Sequence, residues 1–256
     1  MASNAFSTSG KILVVPIVST ANLPQLAVDI LISSLGLERV AILSEQAQYL
    51  IPVAGMLDNN APGITTPLEL FSKPSGFAEY ALVQQRSPVM QACKLEFIQS
   101  FVKYATEGGF SSILFLTGLD LSNRPDSHMI TPAYFLPTSS STPVPPLTEK
   151  LSSMIPPFMP PGSPHPFSSS PSSEPFKLPS SGLTVPLLRE MSGNASAPAS
   201  ATILQYVLEG DNREDAVMMA TIVARAIGIT EEFAWKEPSS WRQGLFGAPH
   251  DQTLFG

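Results

Sequence analysis

The sequence predicts an α/β fold, in which one domain has a central mixed, largely parallel sheet between helices. Short apolar runs rich in β-branched residues, the pattern of strands buried on both faces, alternate with segments of helical periodicity. Hydrophobic residues make up 43% of the 256 residues, which is enough for a substantial core. A layered sheet with helices on both faces accounts for both observations.

The first 44 residues predict a β-α-β unit. "KILVVPIVS" and "RVAILS" are apolar runs typical of buried strands. Between them, apolar residues from Leu23 to Leu35 recur at helical spacing, with Pro24 in the first turn and Gly36 at the end. A crossover of this kind predicts that the two strands pair in parallel.

The middle of the chain predicts a hairpin, a helix and two further strands. "PLELFSK" and "AEYALVQQRS" alternate apolar and polar residues and predict two paired strands. "VMQACKLEFIQSFVKYATEGG" has a helical apolar side, which includes Leu95, and ends at two glycines. "SSILFLTGLD" and "HMITPAYFLP" each predict one more strand.

The composition changes at Pro137, since 14 of the 26 prolines lie between Pro137 and Pro186, many beside serines. Such a segment cannot build a regular core, so we predict a disordered insertion at residues 137–182. Residues 1–136 and 183–247 are predicted to form one α/β domain that carries the insertion. Residues 248–256 are predicted to form a flexible C-terminal tail.

A helical hairpin is predicted after the insertion. Two apolar stripes, Ile203–Leu208 and Ala216–Ile227, are separated by a Gly-Asp-Asn break. Asn212 is suited to cap the second helix, and Glu214 and Asp215 follow in its first turn, where the helix dipole favours negative charge.

Charge and composition argue against several classes of partner. The net charge is −7 and no run of basic residues exceeds two, so neither nucleic acid nor an anionic membrane is expected as a partner. The longest largely apolar segment, "LPQLAVDILISSLG", has 14 residues and contains Asp29, whereas a membrane span needs about 20. "MASNAFSTSG" has no signal-peptide pattern, and a soluble cytosolic or nuclear protein is therefore expected.

The inventory of reactive residues is poor. The three histidines, His128, His165 and His250, are not at metal-ligand spacing, and the one cysteine, Cys93, lies in an apolar segment, so neither a metal site nor a cofactor is predicted. Phosphate-binding and nucleophile-elbow motifs are missing from the sequence. A triad built on His128, and a metal site in "EGDNRED", are the weaker alternatives to a non-enzymatic protein.

Three separated strings, "LVVPIVSTANLPQLAVDILISSLGL", "VLEGDNREDAV" and "WKEPSSWRQGLFG", resemble the proteasome assembly chaperone 2 family. The resemblance spans roughly residues 12–136 and 201–256 and implies a nucleoside-phosphorylase-like fold without catalysis. It also implies a heterodimer with proteasome assembly chaperone 1 in cytoplasm and nucleus. This heterodimer would promote assembly of the α ring of the 20S core particle and block premature or off-pathway ring association.

The resemblance also suggests a role for the end of the chain. Proteasome-binding partners commonly end in a hydrophobic–Tyr–X motif that inserts between neighbouring α subunits. Leu254, Phe255 and Gly256 match these positions, with Phe in place of Tyr, and are therefore the predicted residues that bind the α-ring pocket. A further set is expected to pack the C-terminal segment on the domain and position the tail: Trp241, Leu245 and Phe246.

Two rival functions stay open from the sequence. One is an α/β enzyme that handles nucleosides or phosphates, which would need a polar pocket at the strand ends. The other is an adaptor that acts through its Pro/Ser insertion. For the chaperone, the helices predicted at 23–36 and 92–107 are both possible faces for the partner chaperone.

Overall fold

The computed structural model describes residues 6–56, 63–73, 78–137, 144–159, 178–231 and 234–243. In chain order, the strands of these residues are β1 (Ile12–Pro16), β2 (Glu38–Ile42), β3 (Gly55–Met56), β4 (Ile64–Thr65), β5 (Leu68–Ser72), β6 (Tyr80–Gln85), β7 (Ser112–Asp120), β8 (Ala133–Pro137) and β9 (Ala199–Val207). The α-helices are α1 (Leu23–Leu35), α2 (Ser44–Ala47), α3 (Lys94–Glu107), α4 (Pro146–Met154), α5 (Thr184–Gly193) and α6 (Arg213–Ala226).

The predicted fold class is confirmed, because a mixed and mostly parallel sheet lies between helices. The strand order is β2-β5-β6-β1-β7-β9-β8, and β3 and β4 form a separate two-stranded sheet. β1 pairs in parallel with both β6 and β7, and β7 pairs in parallel with β9. The antiparallel pairings of the large sheet are β2 with β5, β5 with β6, and β8 with β9.

Helices cover both faces of the sheet, which explains why its central strands are continuous apolar runs. Val14 of β1 contributes to a core shared with α1, α4 and α6. Its neighbours Leu13 and Val15 point to the opposite face and join a core shared with α3 and α5. Leu95 of α3 departs from the prediction, since its side chain is 61% exposed.

The hairpin of β5 and β6 is confirmed, with Leu70 opposite Val83. It also explains why the predicted pairing of the first two strands is wrong. The hairpin lies between β1 and β2, so that β6 takes the place beside β1 and β2 pairs antiparallel with β5 at the edge of the sheet. Only the chain's tertiary pairing fixes this order, because hydrophobic periodicity within a strand does not specify its neighbour.

The predicted helical hairpin is also wrong in its first half. Residues Ala199–Val207 are strand β9, which is buried along almost its whole length between β7 and β8. A short apolar run fits a buried strand and a buried helix equally well, and the neighbouring strands decide. The second half is helix α6, with Asn212 at its N-cap position and Glu214 and Asp215 in the first turn, although the Asn212 amide donates to the Gly210 carbonyl instead of capping.

The prediction of disorder throughout 137–182 is wrong for the part that folds as α4. Leu147 and Leu151, four residues apart on α4, are both buried in the core shared with α1 and α6. The chain then runs beside β8, where Phe158 N donates to the Phe135 carbonyl at 2.7 Å. Residues 138–143 and 160–177 lie outside the described residues, so the division into domain, insertion and tail stays a prediction.

Two smaller findings concern Cys93 and membrane insertion. Cys93 is a half-buried free thiol at the N-cap position of α3, just before the helix begins. Over the ranges that the structure describes, no helix combines the length and the apolar character that crossing a bilayer requires.

Candidate partner-binding site

The three strings that carry the family resemblance meet in space. Glu209 Oε1, from the second string, accepts a hydrogen bond from Ala21 N of the first at 2.9 Å. The third string contacts both others, since Lys236 N donates to Ser34 Oγ at 2.8 Å and the Glu237 carboxylate lies 3.8 Å from the Arg213 guanidinium. Residues far apart in sequence therefore build one surface around α1, the start of α6 and the C-terminal segment.

Glu209 supports an unusual backbone at the entry to α1. Ala21 and Asn22 both have positive φ, 59° and 49°, a region that residues other than glycine seldom adopt. The hydrogen bond from Ala21 N to Glu209 satisfies one of the backbone donors that this turn leaves without a helical partner. The acidic segment thus has a structural role at the carboxyl ends of the strands.

The C-terminal segment is held on the domain by Trp241. This side chain is only 6% exposed and lies in the core that α1 and α6 share, with Trp235 packed against the same core. Residues Ser239–Gln243 form a 3₁₀ helix, and Trp241 N donates to the Pro238 carbonyl at 3.1 Å. The point from which the chain continues beyond Gln243 is therefore fixed by an apolar anchor.

The remaining predicted site residues lie outside the described residues: Leu245, Phe246, Leu254, Phe255 and Gly256. The burial of Trp241 fits the predicted positioning of the tail, but that role stays a prediction. Residues 244–256 can reach at most about 47 Å from Gln243, since a fully extended chain spans at most about 3.6 Å per residue. This reach is comparable to the diameter of a domain.

His128, the histidine considered for a catalytic triad, is buried and has both ring nitrogens occupied. Its Nε2 lies 2.8 Å from the Met159 carbonyl oxygen, which can only accept, so Nε2 carries the proton. Its Nδ1 lies 3.0 Å from the hydroxyl of Tyr206. The ring also packs 4.7 Å from Tyr134 and from Phe158, measured between centroids. These contacts make His128 a structural tie between β8, β9 and the chain after α4.

Burial lowers the pKa of His128 below its ordinary 6.5; the hydrogen bond to Met159 opposes this shift, and the Arg124 charge adds to it. Because the unfolded chain then binds a proton at a higher pH than the folded chain, we expect the free energy of unfolding to fall below pH 6.5. The slope from one such residue is at most about 1.4 kcal/mol per pH unit. Denaturant unfolding between pH 7.5 and 5.5 measures it, and His128→Gln should flatten it; an unchanged slope would contradict this account.

A polar hollow of about 280 Å³ lies at the carboxyl end of β6, beside the start of α1, where the enzyme alternative requires a pocket. Its side chains bind one another. Gln84 Nε2 donates to Asp29 Oδ1 at 2.5 Å and to the Gln25 carbonyl at 3.1 Å, and the Arg86 guanidinium lies 3.5 Å from Asp29 Oδ1. This network joins α1 to β6 and gives these polar groups a structural function.

The acidic segment considered for a metal site is engaged in protein contacts. Besides the contact of Glu209 with Ala21, Asp211 Oδ1 lies 3.5 Å from Arg213 Nε. In the described part of the chain, no group of three or more His, Cys, Asp or Glu side chains is arranged to hold a metal ion.

Sequence reasoning missed the loop between β7 and β8. Its tip carries Met129 and Ile130, which are 57% and 92% exposed, next to the buried His128. The signal in the sequence is the pair of adjacent large apolar residues in the polar stretch "NRPDSHMITP". Met129 and Ile130 fall within the strand predicted for "HMITPAYFLP", whereas β8 begins only at Ala133.

Known proteins resemble this chain along almost its whole length. Proteasome assembly chaperone 2 of Xenopus laevis is 26% identical over 253 residues, which cover 95% of this chain and 94% of that protein. Proteasome assembly chaperone 2 of Danio rerio is 28% identical over 268 residues, covering 97% and 96%. The alignments therefore span whole proteins instead of one shared segment.

The fold has solved counterparts as well. The crystal structure of Pyrococcus furiosus PbaA, an archaeal homolog of proteasome-assembly chaperone, superposes with a TM-score of 0.61 at 14% sequence identity. The superposition covers 88% of this chain and 85% of PbaA. The PAC2 family model matches residues 13–227, from β1 to the end of α6. This protein therefore belongs to the PAC2 family.

Proposed function

We propose that this protein is a proteasome assembly chaperone. The observation that carries the proposal is the match to relatives named proteasome assembly chaperone 2 over at least 94% of both chains. The three strings that first suggested the family also form one contiguous surface, as the contacts of Glu209, Lys236 and Glu237 show. A surface built from such strings is where a family-specific interaction is expected.

We further propose that the protein pairs with proteasome assembly chaperone 1. The heterodimer promotes assembly of the α ring and blocks premature or off-pathway ring association, in cytoplasm and nucleus. The proposed action is binding without catalysis. Two features agree with this, since both nitrogens of His128 are used in protein contacts and the polar side chains of the strand-end hollow bind one another.

Leu254, Phe255 and Gly256 are proposed to dock in a pocket of the α ring. Burial of Leu and Phe contributes roughly 1.5–3 kcal/mol each, from which the cost of ordering the segment is subtracted. A free peptide of this kind binds weakly. On a folded body already in contact with the ring, the same residues act at an effective concentration in the millimolar range, which favours docking. The buried Trp241 fixes the part of the chain from which residues 244–256 extend.

The test compares the full chain with a variant that lacks residues 254–256. Both are purified from cells by affinity, and the co-purifying proteins are quantified by mass spectrometry. We expect both to retain proteasome assembly chaperone 1 and the shortened chain to retain at least tenfold less of the α subunits. Gln252→Ala with Thr253→Ala is the matched control, because it changes the adjacent residues and keeps the last three.

The other outcomes separate the parts of the proposal. Equal retention of α subunits by both chains would show that the body makes the contact and would contradict the role of Leu254, Phe255 and Gly256. Absence of α subunits from both preparations would overturn the chaperone function itself.

A further inference from the structure

Met129 and Ile130, here called the exposed pair, form the tip of the loop between β7 and β8. Ile130 is more exposed than any other large apolar side chain in the described residues. Single exposed apolar residues are common, but two adjacent ones on an ordered loop are unusual for a surface that meets only water. The question is therefore whether the loop is built to present them.

Arg124 holds the backbone on both sides of the exposed pair. Its Nε donates to the His128 carbonyl at 2.8 Å, and its Nη2 donates to the Thr131 carbonyl, also at 2.8 Å. The guanidinium carbon lies 5.5 Å from the centroid of the Tyr206 ring, in cation–π contact. One side chain thus ties together the residues that immediately precede and follow Met129 and Ile130.

The base of the loop is fixed to the sheet. The Tyr134 hydroxyl donates to the His128 carbonyl at 2.7 Å, and the buried His128 ring packs against both Tyr134 and Phe158. Tyr206 N of β9 donates to the Pro132 carbonyl at 2.9 Å. A pair presented on such a support loses little conformational entropy when a partner covers it, which is the property of a preorganised binding residue.

The end of the sheet that carries the exposed pair is rich in acidic residues. Asp120, the last residue of β7, lies opposite Val207 of β9, so the loop after β7 and the segment after β9 leave the sheet at the same end. Exposed Leu208 follows there and lines a shallow hollow together with Asp120 and Glu209. Acidic residues of the loop after β7 and of the segment after β9 include Asp120, Asp126, Glu209, Asp211 and Glu214.

The nearby cations are already engaged in contacts within the chain. Arg124 binds neutral carbonyl groups and keeps its positive charge, and Arg213 is paired with Asp211 and Glu237, so acidic side chains still outnumber basic ones in the loop after β7 and the segment after β9. The exposed pair is therefore an apolar projection at an acidic end of the domain. A partner that matches this region in shape and charge needs an apolar pocket for the exposed pair, bordered by lysine or arginine side chains that face the acidic residues.

We propose that the exposed pair is a docking contact that inserts into an apolar pocket, bordered by basic side chains, on a subunit of the assembling proteasome. This inference rests on the proposed function and adds to it a contact made by the folded body, independent of Leu254, Phe255 and Gly256. The rigid loop supplies the shape, the acidic side chains orient the approach, and Ile130 supplies most of the buried area.

The test replaces Ile130 by serine in the full chain and measures co-purified α subunits by mass spectrometry. Burial of an isoleucine side chain corresponds to about tenfold to a hundredfold in affinity, so a loss of that size is expected. Ile64→Ser is the matched control, since it removes the same kind of side chain, 61% exposed, on β4. Thermal unfolding should be unchanged for both variants, because neither side chain is part of the core.

Two further variants test the support and the charge. Arg124→Met removes the two hydrogen bonds to the loop and leaves Met129 and Ile130 in place, and we expect several-fold weaker retention of α subunits. Asp126→Asn should weaken retention in low salt and have little effect in high salt, because screening already suppresses the acidic contribution there. A change in the melting temperature of either variant is measured in parallel, so that a folding defect is recognised.

Each remaining outcome has one meaning. Wild-type retention by Ile130→Ser overturns the docking contact and leaves the proposed function intact. Equal losses in Ile130→Ser and Ile64→Ser overturn it as well, because general apolar adhesion would then explain retention. Loss of proteasome assembly chaperone 1 alone would place the exposed pair in a different interface and overturn the assigned partner. Absence of α subunits with the wild-type chain overturns both the proposed function and this inference.

Discussion

Replacement of Trp241 by alanine is expected to lower the free energy of unfolding by about 3–5 kcal/mol. The side chain is buried in the core formed by α1 and α6, and its removal leaves a large cavity under the C-terminal segment. Denaturant unfolding measures the loss. Because the hydrogen bonds between this segment and α1, such as the one from Lys236 N to Ser34 Oγ, are exposed to solvent, we expect the segment to detach before the domain unfolds.

Hydrogen exchange at the Lys236 and Trp241 amides detects this detachment. Trp241→Phe is the matched control, since a smaller ring fills part of the space and should restore most of the stability and protection. The proposed function adds a second readout, because a detached segment no longer fixes the start of the tail and retention of α subunits should fall. Unchanged exchange at Lys236 in Trp241→Ala would show that the indole is not the anchor.

Replacement of Glu69 by alanine is expected to destabilise the fold by about 2–4 kcal/mol. Glu69 is fully buried on β5, where Oε1 lies 2.6 Å from Arg39 Nη1 and accepts from Thr66 N at 3.0 Å. Oε2 lies 3.5 Å from Arg86 Nε, an ion-pair distance that is long for a hydrogen bond. Alanine would leave two guanidinium groups without this carboxylate, and their partial exposure keeps the cost below that of a fully buried pair.

Glu107→Ala provides the control for Glu69→Ala. Glu107 pairs with Lys103 at 3.9 Å on α3, and both side chains are largely exposed. Loss of this pair should change the free energy of unfolding by less than about 0.5 kcal/mol. Equal effects of the two substitutions in urea unfolding would mean that the contacts of Glu69 with β2 and β6 do not hold this part of the sheet together.

The network around Glu69 matters because it lies in the part of the sheet that the sequence predicted least well. Arg39 belongs to β2, Glu69 to β5 and Arg86 follows β6, so one carboxylate joins three neighbouring pieces of chain. Asp29 then links Arg86 to α1. The edge of the sheet is therefore fixed by charged groups as well as by the hairpin, which no apolar pattern reveals.

Family and fold class could be predicted from the sequence, but the site was visible only in part. The strings around Leu23, Glu209 and Lys236 could be recognised one by one, and their contacts could not be foreseen. The exposed pair was mistaken for the start of a strand, because apolar residues in a loop and at a strand end have the same local pattern. The two hydrogen bonds of Arg124 go to the His128 and Thr131 carbonyls, which only the folded loop brings close together.

The sequence by itself determined the strands and helices from β1 to β7, and the start of α6 after the Gly-Asp-Asn break with its acidic first turn, because these follow from local periodicity and turn residues. The tertiary structure decided the place of β2 at the edge, the strand identity of β9 and the folding of α4. Each of these depends on which distant segment covers an apolar side chain or pairs with a backbone. Local pattern carries no information about that choice.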